Sequence, residues 1–178
     1  MTYFYVDIES EGFNPKEDKI ITIQYQRLDY EAQKIDGELI ILKEWESNEE
    51  QIVTQFYNLL TSDKYFTPIM TNHYFDFNFL IEKFKKYGLI PQELEKFDFL
   101  YSRFLIDIHS TLVIINNMKF KGSGLDKLTN KEFDGSIIPL WYEQKKYAEI
   151  EQYIIKEAEA FLKAFFIIRN HLCNLNLK

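Results

Sequence analysis

The sequence predicts an α/β fold: a central mixed five-stranded sheet, three antiparallel N-terminal strands then two parallel ones, flanked by helices and ending in a long C-terminal helix. Three observations predict it. The stretch up to Leu42 carries three extended apolar or alternating runs. The stretch after it alternates helical spacing with short apolar runs, the pattern of a layered α/β protein. Residues 143–171 then contain neither Gly nor Pro.

The elements follow in order. Residues 3–9 form an apolar run that ends in acids, as a buried strand does. Ile21, Ile23 and Tyr25 alternate with Thr22, Gln24 and Gln26, the period of a half-buried strand. Asp36-Gly37 is a turn signal and residues 39–42 follow as a third strand, so the first three strands make an antiparallel meander. Ser47-Asn48-Glu49-Glu50 has capping-box spacing, after which Ile52, Phe56, Leu59 and Leu60 recur at helical spacing. A short strand spans residues 66–71, and Pro68 argues for an early or edge position. Phe77, Leu80, Ile81 and Phe84 form the next helical stripe, with Gly88 as its stop and Pro91 beyond. Residues 104–106 read as a fifth strand leading into Asp107, which can cap the helix that follows. The stripe of the last helix is Ile150, Ile154, Phe161, Phe165 and Ile168.

Composition narrows the class. The chain has 178 residues, 46% hydrophobic and 28% charged, with 6 Gly and 4 Pro. That fits one domain, residues 1–178, and argues against disorder and long linkers. The single Cys173 cannot form an internal disulfide. No apolar run reaches the roughly 18 residues of a membrane span. The expectation is a soluble cytoplasmic protein with no membrane partner. The net charge of −7 argues against coating of duplex DNA, because such proteins replace counterions with basic side chains. It leaves room for an enzyme that handles a nucleic-acid end through metal held by acids.

Three places carry such acids. Asp7 and Glu9 lie two apart on a strand, so they share a face. Adjacent carboxylates repel unless a cation or proton sits between them, and hard oxygen ligands suit Mg²⁺ or Mn²⁺. Asp76 opens a helix after a strand, where it reads either as a ligand or as an N-cap, and Asn72 before it can be a turn residue. Glu157 falls in an apolar stripe between Ile154 and Phe161, a costly place for a carboxylate unless paired or metal-bound. Tyr153 lies four residues earlier, on the same helix face. The alternative for Glu157 is a salt bridge to a lysine. Lys119 to Asp126 contains a Gly-x-Gly without the dinucleotide pattern and reads as a loop whose lysines can meet phosphates. His73, His109 and His171 have no zinc spacing.

The order D-x-E at Asp7 and Glu9, N-x-x-F-D from Asn72 to Asp76, then Y-x-x-x-acid at Tyr153 and Glu157 resembles the DEDD superfamily of 3′–5′ exonucleases. The likeness is greatest to the DEDDy branch, which includes the proofreading domain of family B DNA polymerases. The resemblance implies a ribonuclease H-like fold and two-metal hydrolysis of phosphodiesters at the 3′ ends of single-stranded DNA or RNA. Two ions, Mg²⁺ or Mn²⁺, are implied as cofactors. Asp7 would bridge them, Glu9 and Glu157 would hold the ion that activates water, and Asp76 would serve the ion at the leaving oxygen. Tyr153 would orient the water. Residues 124–128 sit where such domains have a short helix. Phe13, Tyr74 and Phe75 beside the ligands are candidates to stack bases, with Asn72 next to them; the alternative for Phe75, and the favoured one, is a core position. Lys119, Lys121 and Lys127, or Lys145 and Lys146, are candidates to steer the backbone. A polymerase or repair protein is the candidate partner. Glu157 departs from the family, which has Asp there, and this motivates the alternative of a binding module with weakened turnover. Tyr147 and Glu151 offer a second Tyr-x-x-x-Glu, but Glu157 lies on the inward stripe. An endonuclease using the same acids is a third reading.

Overall fold

The computed structural model describes residues 1–95, 98–99, 104–123 and 135–174. The strands are β1 (Thr2–Ser10), β2 (Ile20–Leu28), β3 (Ile35–Lys43), β4 (Phe66–Met70) and β5 (Ile106–Asp107). The helices are α1 (Glu49–Ser62), α2 (His73–Lys86), α3 (His109–Ile115), α4 (Ile138–Glu143) and α5 (Tyr147–Cys173), with single 3₁₀ turns at Glu44–Glu46 and Gly135–Ile137. The sheet order is β3-β2-β1-β4-β5. β1 pairs antiparallel with β2, and β2 with β3; β1–β4 and β4–β5 are parallel. This is the mixed five-stranded sheet expected from the sequence.

Side-chain alternation along β1 assigns the two faces. Phe4, Val6 and Ile8 join Val53, Phe56, Leu60, Phe77 and Phe84 of α1 and α2 in one core. Tyr5 points the other way, against Phe161 and Phe165 of α5. Ile21 packs there too, with Ile150, Tyr153 and Ile154. Asp7 and Glu9 share the parity of Tyr5, and the α5 helix therefore comes to lie over them. Each fully buried large apolar side chain contributes about 1.5–3 kcal/mol to holding these layers together.

α1 and α2 are also joined by charge. Glu49 is buried; its Oε1 accepts from the Ile20 amide at 2.9 Å and pairs with Lys83 at 3.3 Å. Its Oε2 accepts from Lys86 at 2.8 Å and from the Tyr87 hydroxyl. Lys83 is wholly buried and also donates to the Asp18 carbonyl at 2.6 Å. The end of α2 is a Schellman cap: Leu89 N donates to Phe84 O, Gly88 N donates to Lys85 O, and Gly88 has φ +67°.

Several local expectations are corrected. The β2–β3 turn lies at residues 29–34, not at Asp36-Gly37, because Asp29 Oδ1 accepts the Gln33 and Lys34 amides and Ala32 takes the left-handed conformation. Asp36 and Gly37 are inside β3, where Asp36 pairs with Arg27 at 2.6 Å. The cap of α1 is Asn48, whose side chain accepts from Gln51 N at 2.9 Å, while Ser47 closes the preceding 3₁₀ turn onto Glu44 O. Pro68 is on an inner strand, but β5 pairs only with Ile69 and Met70, so no β5 residue stands opposite it. β5 begins at Ile106, two residues later than expected, and Phe104 is exposed. The long C-terminal helix begins at Tyr147, a turn later than residue 143, because Lys145 with φ 56° parts it from α4. Residues 124–128, Lys127 included, lie outside the described residues. No described helix is long and apolar enough to cross a membrane.

Candidate active site

Carboxylate oxygens of Asp7, Glu9 and Glu157 all lie within 4.8 Å of one another. The pleat of β1 aligns the first two, and the inward stripe of α5 brings the third. Asp76, one turn into α2, is buried and lines the same cleft of about 210 Å³, but stands outside that trio. Burial pushes the Asp76 carboxyl well above the usual carboxylate range, and the nearby charges of Asp7, Asp107 and Glu157 push the same way. Four acids at one cleft are under mutual repulsion in the absence of a cation.

That repulsion has a testable sign. An acid whose folded pKa is raised binds its proton in the native state at a pH where the unfolded chain has lost it, so native stability falls as pH climbs through that window. Asp76→Asn is therefore expected to melt higher than wild type in chelator, with the gap widening as pH rises. Thermal melts of both proteins across the pH range check this; a gap that narrows with rising pH would contradict it.

Tyr153 is buried beside the trio. Burial raises its phenol far above the usual range, and the Glu157 and Glu9 carboxylates and a hydrogen bond to Glu157 raise it further. It stays protonated at any working pH and serves as a donor, not a base. Its ring packs edge-on against Trp141 at 6.5 Å. Tyr153→Phe keeps this packing and removes the donor that holds Glu157, so Mn²⁺ affinity by titration calorimetry is expected to fall about 10–100-fold with little change in melting temperature. The second Tyr-x-x-x-Glu is spent elsewhere: Tyr147 stacks on Trp45 at 4.7 Å, and Glu151 pairs with Lys43 at 3.0 Å.

Two supports of the site were not read from the sequence. Thr22 and Gln24, expected on the outer side of a half-buried strand, are both wholly buried. β2 is covered on both faces here, and Gln24 stands directly opposite Asp7. Gln24 Nε2 donates to Asp7 Oδ2 at 3.1 Å, and the Tyr5 hydroxyl donates to the same oxygen at 3.3 Å. The second support is Asp107. Its carboxylate accepts from the amides of Asn72 (3.1 Å), His73 (3.2 Å) and His109 (2.8 Å), and from His73 Nδ1 (2.6 Å). Burial would raise this carboxyl, but those hydrogen bonds outweigh it and hold it below the usual range. Asn72, left-handed at φ 59°, supplies no side-chain cap to α2, and Asp76 is not the cap either; Asp107 is the acceptor.

The remaining expected residues divide. Asn72 and Phe75 line the cleft. Phe13 is 83% exposed and outside the lining, and meets Phe75 edge-on at 6.2 Å. Tyr74 is exposed and does not line the cleft. Lys119 and Lys121 are exposed in the loop after α3, outside the lining, and Lys145 and Lys146 sit between α4 and α5. The lining adds Thr71 and Gly135, neither of which has a sequence signal. A Cβ on Gly135 would touch the Tyr153 hydroxyl at 3.4 Å.

The donor set fits hard divalent ions: every converging group is a carboxylate oxygen. Thr71 Oγ1, buried at the cleft wall, has no hydrogen-bond partner among the described residues, as expected of a hydroxyl facing a site for water or an ion.

Comparison with known proteins agrees with this architecture. Among curated proteins no sequence matches. Exonuclease I, in the structure used to suggest how its processivity is achieved, is similar with a TM-score of 0.56 and 14% identity, over 74% of this chain and 35% of that one. E. coli exonuclease I with a 5cy-dA13 oligonucleotide gives 0.53 and 15%, over 68% and 31%. The exonuclease I complex with SSB-Ct gives 0.52 and 14%, over 68% and 31%. The chain spans about a third of the length of these proteins, and at such identity the likeness carries the fold. Residues 4–166 match the family model of the RNase_H superfamily. The chain belongs to the RNase_H superfamily.

Proposed function

We propose that this protein is a metal-dependent 3′–5′ exonuclease acting on single-stranded DNA or RNA, with residues 1–178 as one exonuclease domain. The observation that supports it best is the meeting of Asp7, Glu9 and Glu157 beside Asp76 in one cleft, from the three motifs in order. Asp7, Glu9 and Glu157 would hold one Mg²⁺ or Mn²⁺, and Asp7 with Asp76 a second. Bound there, such ions lower the pKa of a water and stabilise the attacking and leaving oxygens of a phosphodiester. The Tyr153 proton goes to Glu157, so its oxygen is the acceptor that orients the attacking water. Phe13 and Phe75 would stack the terminal bases, beside Asn72. Lys119 and Lys121 would meet phosphates further along the strand. Exonuclease I, which has been crystallised with an oligonucleotide and with SSB-Ct, supports a single-stranded substrate and a repair-type partner. The extra methylene of Glu157 does not keep it from the cluster, which favours turnover over a binding-only module.

The test is a 5′-labelled single strand, DNA and RNA in parallel, incubated with Mn²⁺, Mg²⁺ or chelator. The expected result is a shortening ladder with nucleoside monophosphate products, lost in chelator. A strand that stays bound and intact under every metal would select the binding module, and internal cleavage of a circular strand the endonuclease. Mn²⁺ is also expected to raise the melting temperature, because a ligand of the folded state alone adds about 2.7 kcal/mol of stability at a hundred times its Kd. No shift in wild type, or an equal shift in Asp76→Ala, would count against a carboxylate metal site.

A further inference from the structure

We propose that Gln24 is the positioning residue of the metal site, fixing the Asp7 carboxylate from the neighbouring strand. The inference rests on the carboxylate cluster being a metal site. Gln24 has no exposed surface, and neither do its β2 neighbours Ile20, Ile21 and Ile23. An amide in such surroundings is unfavourable unless both of its halves are hydrogen-bonded. Here both are. Thr22 Oγ1 donates to Gln24 Oε1 at 3.0 Å, and Gln24 Nε2 donates to Asp7 Oδ2 at 3.1 Å.

The order of this chain gives it direction. Thr22 is itself wholly buried, and its proton goes to Oε1. Asp7 Oδ2 only accepts, so it takes the NH₂ half of the amide and leaves Oε1 for the Thr22 hydroxyl. The antiparallel register sets Asp7 and Gln24 opposite one another, which gives the bond its short reach without strain. The Tyr5 hydroxyl reaches the same Oδ2 at 3.3 Å. An oxygen held from two sides cannot swing about the terminal torsion of Asp7, so the carboxylate waits in one orientation. A neutral donor is the group that can do this beside a cluster of negative charge. A lysine would cancel the charge that attracts the cation, and a glutamate would add to the repulsion. For fold stability alone, apolar side chains at 22 and 24 would pack there with no polar group to satisfy.

The test is Mn²⁺ titration calorimetry on the full chain, read beside melting in chelator. Thr22→Val with Gln24→Met removes both ends of the relay and leaves no orphaned partner between them. The expected result is a metal-free melting temperature kept or raised, with half-saturation by Mn²⁺ shifted upward about 10–100-fold, the usual effect of losing a group that orients a ligand. In an Asp7→Asn background the same pair of changes is expected to add nothing, since it acts through Asp7. Thr22→Val alone, which takes the donor from Gln24 Oε1 and leaves Nε2 on Asp7, is expected to shift half-saturation by a smaller factor and gives the reading if the double variant fails to fold. Wild-type Mn²⁺ affinity in the double variant, or in Thr22→Val where that alone can be read, overturns the assignment. So does an equal loss in the Asp7→Asn background. A wild type that takes up no Mn²⁺ overturns the metal site and this assignment together; a wild type that binds while the double variant binds as tightly overturns this assignment alone.

Discussion

Asp7→Asn is expected to slow metal-dependent hydrolysis of a labelled single strand by about 10³-fold, the scale on which loss of one preorganised electrostatic group slows an enzyme. The fold should survive. The amide oxygen of Asn can still accept from Gln24 and Tyr5, so neither buried donor is orphaned. Removing the charge also relieves repulsion, because Asp7 acts on Asp76 and Tyr153 at once. The metal-free variant should therefore melt no lower than wild type. This pairing of lost turnover with kept stability separates a residue that serves chemistry from one that serves packing. Initial rates at saturating Mn²⁺, with circular dichroism melts of the same samples, decide it. A rate within tenfold of wild type would remove Asp7 from the proposed mechanism.

The largest expected effect on stability lies away from the cleft. Glu49→Ala should destabilise by about 3–5 kcal/mol, the range for breaking a buried ion pair by removing one partner. Lys83 would stay fully buried against the Asp18 carbonyl with no carboxylate to pair its charge, and the Ile20 amide would lose its acceptor. At about 2–4 °C per kcal/mol for a chain of this size, the melting temperature should drop by about 6–20 °C. The same carboxylate carries a pH dependence opposite to that of Asp76. Burial alone would raise it, but the hydrogen bonds from Lys86, Tyr87 and Ile20 and the charge of Lys83 bring it below the ordinary value. Its contribution is thus complete above the unfolded Glu pKa of about 4.3 and is lost as pH falls through the folded value. Denaturant titrations of wild type and Glu49→Gln should differ most near neutrality and converge in acid. A constant difference would mean that the ionised pair is not what holds α1 to α2.

The parts of this structure that were legible in the sequence are those set by local periodicity. The period of two put Asp7 and Glu9 on one face, and the period of 3.6 put Tyr153 and Glu157 on the inward stripe of α5. Strand direction, three antiparallel then two parallel, followed from the succession of elements. What escaped depends on contacts distant along the chain. Gln24 looks like a solvent-facing strand residue until β1 and β3 flank it and α5 covers that face. Asp107 reads as the cap of the next helix and accepts from its first amide, His109, but Ile108 holds the cap position, and the bonds from Asn72 and His73 span 35 and 34 residues. The turn after β2 escaped because Asp29 accepts the amides of its own loop, which leaves Asp36-Gly37 inside β3. Thr71 and Gly135 mark the cleft only by position, and nothing in their residue types announces it.

Asp107 also has a consequence for how the molecule opens. Amides at a helix start have no partner within their own helix and normally exchange with solvent quickly. Here three of them, from the starts of two helices, share one acceptor. None is released separately by fraying of its own helix; all are released when the carboxylate lets go. The first turns of α2 and α3 should thus behave as one unit in hydrogen exchange, with the amides of Asn72, His73 and His109 protected together and lost together. The wall of the cleft that carries Asp76 then keeps its shape until that single group yields.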